Sequence, residues 1–243
     1  MRLMMPWVAS LGALVLWQIA SSLIPNSQLA LPAPTDVAAS LVTHFGAIWS
    51  NTLVTLATTM AGFAMAVVVG LVVGMAVGAS SMVYAGLYPL LIAFNAIPKV
   101  ALVPVVVLWF GIGAIPAMAM AFALAVFPII VNVATGLSSI DPEMEDVMRS
   151  LGASRLEILT KVGLPQMMPF LFASLKIAIS LAFVGAVLSE TVASNAGIGF
   201  VMQAASSRFE VSLVFAALLV LAVLAVIAYA LCALLERRLT RGL

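Results

Sequence analysis

The stretch that decides the fold is Thr52-Leu-Val-Thr-Leu-Ala-Thr-Thr-Met-Ala-Gly-Phe-Ala-Met-Ala-Val-Val-Val-Gly-Leu-Val-Val-Gly-Met-Ala-Val-Gly-Ala79. It lies inside a run of 62 residues, Val37 to Pro98, that contains no Asp, Glu, Lys or Arg. Similar gaps run from Leu3 to Thr35 (33 residues), Val100 to Ile140 (41) and Val211 to Leu235 (25). A helix that crosses a bilayer needs roughly 20 mostly apolar residues, so the longest gap holds more than one crossing. These runs are too long for barrel strands and lack their period-two alternation.

Composition agrees. Of 243 residues, 65% are hydrophobic and 8% charged, against about 25% charged in an average soluble domain. The net charge of +1 provides no field for binding nucleic acid. A single cysteine, Cys232, and a single histidine, His44, exclude an intrachain disulfide, a cysteine zinc cluster and a His-rich metal site. The expected class is an all-α integral membrane protein forming a single transmembrane domain over residues 1–243.

Six transmembrane helices are predicted, at about Trp7–Ile24, Thr52–Ala79, Leu87–Phe110, Ala114–Leu137, Gln166–Glu190 and Val211–Leu235. Pro25-Asn26, Gly111-Ile112-Gly113 and Pro142 mark breaks between them. Arg2 before an apolar run also fits a secretory signal. The run is longer than the usual signal core and no clear small-residue cleavage site follows, so a spanning helix is expected. Six crossings put both termini on one side with Arg2, Arg149, Arg155, Lys161, Arg237, Arg238 and Arg241, leaving only Arg208 near the other interface. That bias predicts that both termini and the 138–165 segment are cytoplasmic.

Residues 34–50 are expected to form a short helix in the outer interface, capped by Thr35 or Asp36, with Val37, Leu41, Phe45, Ile48 and Trp49 at near-helical spacing. His44 on it is expected to be solvated or interfacial. Gly70, Gly74 and Gly78 form overlapping G-x-x-x-G units, which bring helix backbones close in lipid. Packing within the subunit is expected ahead of a subunit interface. Pro98 and Pro104 flank Lys99, which marks the third helix as the irregular one. No internal repeat of the kind that marks many secondary transporters is evident.

Eight of the 19 charged residues fall in 21 positions, Asp141 to Lys161. Asp141 is a suitable N-cap, Pro142 suits the first helical position, and Glu143, Glu145 and Asp146 favour a helix N-terminus. Met144, Val147, Met148 and Leu151 form one apolar stripe, and Gly152 can end the helix. Ser154 and Glu157 then fit a capping box, and Pro165 is expected to stop that second helix. Two readings weigh about equally on physics alone. In one, the stripe packs on the chain's own membrane domain. In the other, it docks in a groove of a cytoplasmic partner.

This loop resembles the EAA motif of bacterial ABC importer permeases: Glu-Ala-Ala, three residues, Gly, nine residues, then Ile-x-Leu-Pro. Here the register places Asp146-Val147-Met148, Gly152 and Val162-Gly163-Leu164-Pro165. Arg149-Ser-Leu-Gly-Ala-Ser-Arg155, Ile97-Pro-Lys-Val-Ala-Leu-Val-Pro104, Leu108-Trp-Phe-Gly-Ile-Gly113 and Gly197-Ile-Gly-Phe200 are similar to the nitrate/sulfonate/taurine branch. The resemblance implies the type I ABC importer transmembrane fold in a bacterial inner membrane. It makes 141–165 a coupling helix that contacts an ATPase subunit through Asp146, Val147, Met148, Arg149, Ser150, Leu151, Gly152, Ala153 and Ser154. It further implies two cytoplasmic ATPase subunits that bind ATP and Mg, a second permease subunit, an extracytoplasmic substrate-binding protein, and a small anionic solute.

The chain has no G-x-x-x-x-G-K-[ST] pattern, so no catalytic residue, metal or cofactor is assigned to it and energy must come from elsewhere. Charges inside a bilayer are costly, so Lys99, Lys176 and Glu190 are expected to face protein or a water-filled path. They are candidates for the translocation path, with Asn95, Asn132 and Ser189 added. A structural pair or gate is the alternative, with Glu190 neutralising a lysine. Glu190–Ser207 is read as a re-entrant or gating segment, or a plain connecting loop. The alternative function, an ion-coupled secondary transporter or channel, needs paired intramembrane carboxylates and no docking loop.

Overall fold

The computed structural model describes residues 5–24 and 30–240. Among them nearly all are helical and none is in a strand. In chain order the helices are α1 (Met5–Leu23), α2 (Pro34–Thr43), α3 (Phe45–Gly78) and α4 (Ser81–Ala96). A 3-10 turn (Lys99–Leu102) leads into α5 (Val103–Phe110) and α6 (Ala114–Ser138). Then come α7 (Pro142–Ser150), α8 (Arg155–Ile158), a π turn (Leu159–Gly163), α9 (Leu164–Ala193), α10 (Ile198–Ser207) and α11 (Val211–Leu239). Arg2, Pro25-Asn26 and Arg241 lie outside the described residues.

The core is α3 packed on α6 and α6 on α9. Gly62 lies against Met118 and Ala121, Gly70 against Ile129, Gly74 against Val133 and Gly78 against Leu137. A Cβ at Gly70 would sit 2.6 Å from Ile129 Cγ2, and one at Gly74 would sit 2.7 Å from Val133 Cβ. Four-residue ridges of both helices therefore interlock, and small residues allow the approach. The glycine ladder packs within the subunit, as expected. Ala66, Ala121, Ala125, Ala178, Ala182 and Ala186, all buried, continue the small-residue seam into α9.

The paired residue numbers rise together, so α3 and α6 run parallel. Gly185 of α9 sits on the Met120 backbone while Gly136 of α6 meets Phe170, so α9 runs antiparallel to both. Two parallel neighbours require the chain between them to recross. That return is the α4, 3-10 and α5 segment, which rises about 40 Å in total, enough for a hydrocarbon core of about 30 Å.

Four expectations are corrected. The third predicted span, Leu87–Phe110, is not one helix: Ile97-Pro98 breaks it, because proline lacks the N–H and its ring crowds the preceding turn. Residues 34–50 are not one helix either. The chain breaks at His44, and Phe45 to Ser50 are the first turns of α3, which begins well before Thr52. Neither Thr35 nor Asp36 caps α2; Ala33 holds the N-cap position without a side-chain bond. Pro165 does not stop a helix, since α8, the π turn and α9 form one uninterrupted helix from Arg155 to Ala193. Of the two readings of residues 190–207, the plain loop falls away: α9 runs to Ala193 and Ile198–Ser207 is helical.

Four helices are each long and apolar enough to cross a membrane: Phe45–Gly78, Ala114–Ser138, Arg155–Ala193 and Val211–Leu239. Shorter apolar stretches are Leu11–Leu23, Met82–Ala93 and Lys99–Phe110. A second cluster of Val37, Ile48, Ala205, Leu213 and Ala216 ties α2, α10 and α11 to the start of α3.

Gly74→Leu overfills the α3–α6 seam, for which the expected cost is about 1–3 kcal/mol. Gly86→Leu, where a Cβ meets nothing within 4 Å, is expected to be tolerated. Thermal midpoints of the two purified variants in one detergent check this; equal midpoints would refute the seam.

Candidate docking loop and charged residues of the bundle

The loop between α6 and α9 is built by local hydrogen bonds. Asp141 accepts from Glu143 N at 2.9 Å and starts α7. Arg149 pairs with Glu145 one turn back at 2.6 Å. Gly152 ends the helix with φ +84°, a left-handed conformation that glycine adopts without a Cβ penalty. Ala153 N closes onto Met148 O at 3.0 Å. The capping box is present: Ser154 N donates to Glu157 Oε2 at 2.9 Å and Glu157 N donates to Ser154 Oγ at 3.3 Å.

This capped turn presents apolar side chains to the outside. Met144 is 52% exposed, Val147 58%, Leu151 78% and Leu156 68%. Asp146, Ser150, Gly152 and Ser154 are exposed too, and Met148 and Ala153 are half-buried. Ile158, by contrast, is buried. The stripe on α7 thus does not pack on the chain's own membrane domain, which was one of the two open readings. Exposed apolar groups on a charged, water-facing turn are the feature that a partner surface explains.

The six in-membrane candidates do not converge on one site. Lys176 Nζ binds Glu236 Oε2 at 2.7 Å, joining α9 to α11. It is therefore neutralised by a residue that the sequence reading had placed beyond the sixth span. Glu190 pairs with neither lysine, which corrects that expectation. It is 1% exposed and accepts from Thr55 Oγ1 at 2.8 Å and Gly199 N at 3.0 Å. Asn132 Nδ2 donates to Pro128 O at 2.8 Å within its own helix. Ser189 is buried and its hydroxyl has no partner.

Lys99 and Asn95 differ from these. Lys99 Nζ donates to Asn95 Oδ1 at 2.8 Å and to Asn95 O at 3.3 Å. It also lies 5.4 Å from the Phe127 ring centroid, within cation–π range. These partners are neutral, so among the described residues no acid offsets the Lys99 ammonium. Asn95 is exposed and Lys99 half-exposed, beside the broken backbone at Ile97-Pro98. Among the described residues there is no group of three or more His, Cys, Asp or Glu able to hold a metal.

Sequence reasoning missed Asn51, Thr55 and Thr58 as partners of the Glu190 region, because 132 to 146 residues separate the pairs. A signal existed nonetheless: Thr52, Thr55 and Thr59 recur on one face of an otherwise apolar helix. Glu236 was legible as an acid with no local basic partner on its inner side.

Lys176→Met leaves the Glu236 carboxylate unpaired in a mostly apolar setting and is expected to lower the thermal midpoint of the purified protein. Adding Glu236→Leu is expected to restore it. A double variant no better than the single would refute the pairing.

Comparison with known proteins fits this geometry. The family model for the binding-protein-dependent transport system inner membrane component matches residues 66–241. The riboflavin transport system permease protein RibX of Chloroflexus aurantiacus is 34% identical over 230 residues, covering 94% of this chain and 86% of its own. The taurine transport system permease protein TauC of Escherichia coli is 30% identical over 234 residues, covering 93% and 85%. An inward-facing structure of the MetNI methionine ABC transporter shares the fold, with a TM-score of 0.66 over 82% of this chain and 97% of that one, at 21% identity. By its bundle, its loop and the match over most of its length, this chain belongs to the family of inner membrane components of binding-protein-dependent transport systems.

Proposed function

We propose that the chain is the permease subunit of an ATP-driven importer in a bacterial inner membrane, with α7 and the Gly152 turn as its contact to the ATPase. One observation carries this reading: a firmly capped turn holds Met144, Val147 and Leu151 outward, uncovered by the rest of the chain. A groove on a cytoplasmic partner would bury that stripe as an i, i+3, i+7 anchor set. The positive-inside bias of the flanking Arg149, Arg155 and Lys161 supports a cytoplasmic position for the loop and for both termini. ATP and Mg belong, on this reading, to two partner ATPase subunits, which the family membership supports; the sequence itself carries no phosphate-binding motif of the G-x-x-x-x-G-K-[ST] kind.

A second copy of the chain completes the path, and an extracytoplasmic binding protein delivers the solute. Asn95 and Lys99 support a path along the broken α4–α5 segment. A charge and an irregular backbone at membrane depth both call for protein or water beside them, not lipid. Lys99, paired only with neutral groups, favours a small anionic solute of the sulfonate, taurine or nitrate kind. RibX and TauC carry names for very different solutes, which supports the binding protein as the main selector among candidates.

Mild-detergent purification of the tagged chain is expected to bring down an ATPase subunit, and Gly152→Trp is expected to remove that subunit while leaving the chain monodisperse. Retention of the subunit by Gly152→Trp would sink the docking assignment. Lys99→Met is expected to raise the KM for uptake of the solute found bound to the co-purified binding protein, with unchanged expression; an unchanged KM removes Lys99 from the path.

A further inference from the structure

We propose that Glu190 is a positioning residue for transport: it ties the start of α10 to α3 and α9, so that movement of the long Arg155–Ala193 helix reaches the end of the bundle opposite the docking loop. This inference rests on the reading of the chain as an ATP-driven permease.

The first N–H groups of a helix have no partner within it and need acceptors. At the start of α10 no side chain of its own supplies them; Gly197 holds the N-cap position with φ +103°. Three side chains from other helices do. Gly197 N donates to Asn51 Oδ1 at 2.7 Å, Ile198 N to Thr55 Oγ1 at 2.7 Å and Gly199 N to Glu190 Oε2 at 3.0 Å. Thr55 Oγ1, accepting from Ile198, donates its own hydrogen bond to Glu190 Oε2 at 2.8 Å. The cap of α10 is thus assembled from α3 and α9 and exists only while the three helices keep this arrangement.

Sterics narrow it further. A Cβ at Gly197 would overlap the Glu190 carboxylate, and one at Gly199 would lie 2.6 Å from Val187 O and 2.7 Å from Glu190 Cβ. The Gly-Ile-Gly spacing is what lets the α10 start approach the carboxylate. Among the described residues Glu190 makes no ion pair, and Lys176 pairs instead with Glu236. Its work is hydrogen-bond acceptance by Oε2, while Oε1 lies 3.4 Å from Thr58 Oγ1. A glutamine can do the same, with its amide nitrogen donating to Thr58 Oγ1. An alanine cannot. α10 keeps a separate anchor in Ala205, packed with Leu213 and Ala216, so losing the cap frees the start of α10 without unfolding its other end.

The test uses the whole importer, permease with its ATPase partner, in lipid nanodiscs and in a Cys232→Ser background. Spin labels at Ser50→Cys and Gln203→Cys, both exposed positions, report the α3–α10 distance without nucleotide and with ATP plus vanadate, and ATP hydrolysis is read in the same samples. The expected result is a distance that responds to nucleotide in the parent and in Glu190→Gln. In Glu190→Ala that response is lost while hydrolysis continues. A parental response in Glu190→Ala, or a Glu190→Gln as defective as alanine, overturns the proposal. A parent complex that neither hydrolyses ATP nor changes its distance defeats the permease reading instead. If Glu190→Ala does not assemble, Asn51→Ala removes one of the three bonds; a reduced response supports the cap, and a full response overturns it.

Discussion

Everything in this molecule depends on how closely α3 and α6 approach. Lipid tails are as apolar as leucine, so burial alone does not drive helices together in a membrane; contact area and backbone proximity do. Gly62, Ala66, Gly70, Gly74 and Gly78 provide the proximity at four-residue spacing, and α6 answers with Ala121, Ile129, Val133 and Leu137 at matching heights. The match holds only if the two helices run parallel. Parallel neighbours force the connecting chain to recross outside the seam, and that crossing is the one made of two pieces. The seam therefore calls for a return there, and Pro98 breaks that return beside Asn95 and Lys99.

Polar groups in the bundle fall into two kinds by how they are satisfied. Lys176 with Glu236, and Glu190 with Thr55 and Gly199, find their partners inside the chain and hold helices in place. Lys99 finds only neutral partners and remains partly open to the outside. The same division applies to apolar groups at the docking end, where Ile158 is buried and Met144, Val147 and Leu151 are not. What the chain satisfies internally is scaffold. What it leaves open marks where another molecule belongs.

This division also explains what was legible in the sequence. Charge gaps and hydropathy exposed the membrane class and the approximate spans, because each depends on residues close together in the chain. The 141–157 turn was readable almost atom by atom, since Asp141, Gly152, Ser154 and Glu157 act on neighbours no more than four positions away. The partners of Glu190 were not legible, because two of its three bonds reach residues more than 130 positions away. Only packing brings them together. Pro165 was misread for a different reason: it lies well inside the Arg155–Ala193 helix, directly after a π turn that the sequence did not reveal.

The π turn at Leu159–Gly163 resolves that point and links the two ends of the molecule. Leu164 N bonds back to Leu159 O, a five-residue ring in place of the usual four, and the wider register precedes Pro165, whose missing donor falls within the first turn of α9. The helical path therefore passes from Arg155, beside the exposed stripe, to Ala193, beyond Glu190, without a break. A helix of this length resists bending better than it resists tilting or rotating as a body, except where a π turn marks a local change of twist. Under the proposed function, a push on the Gly152 turn reaches Glu190 as movement of this helix, with the π turn as the place where its twist can change. There the carboxylate holds the first turn of α10 against α3, and on the same proposal it passes that movement on to α10.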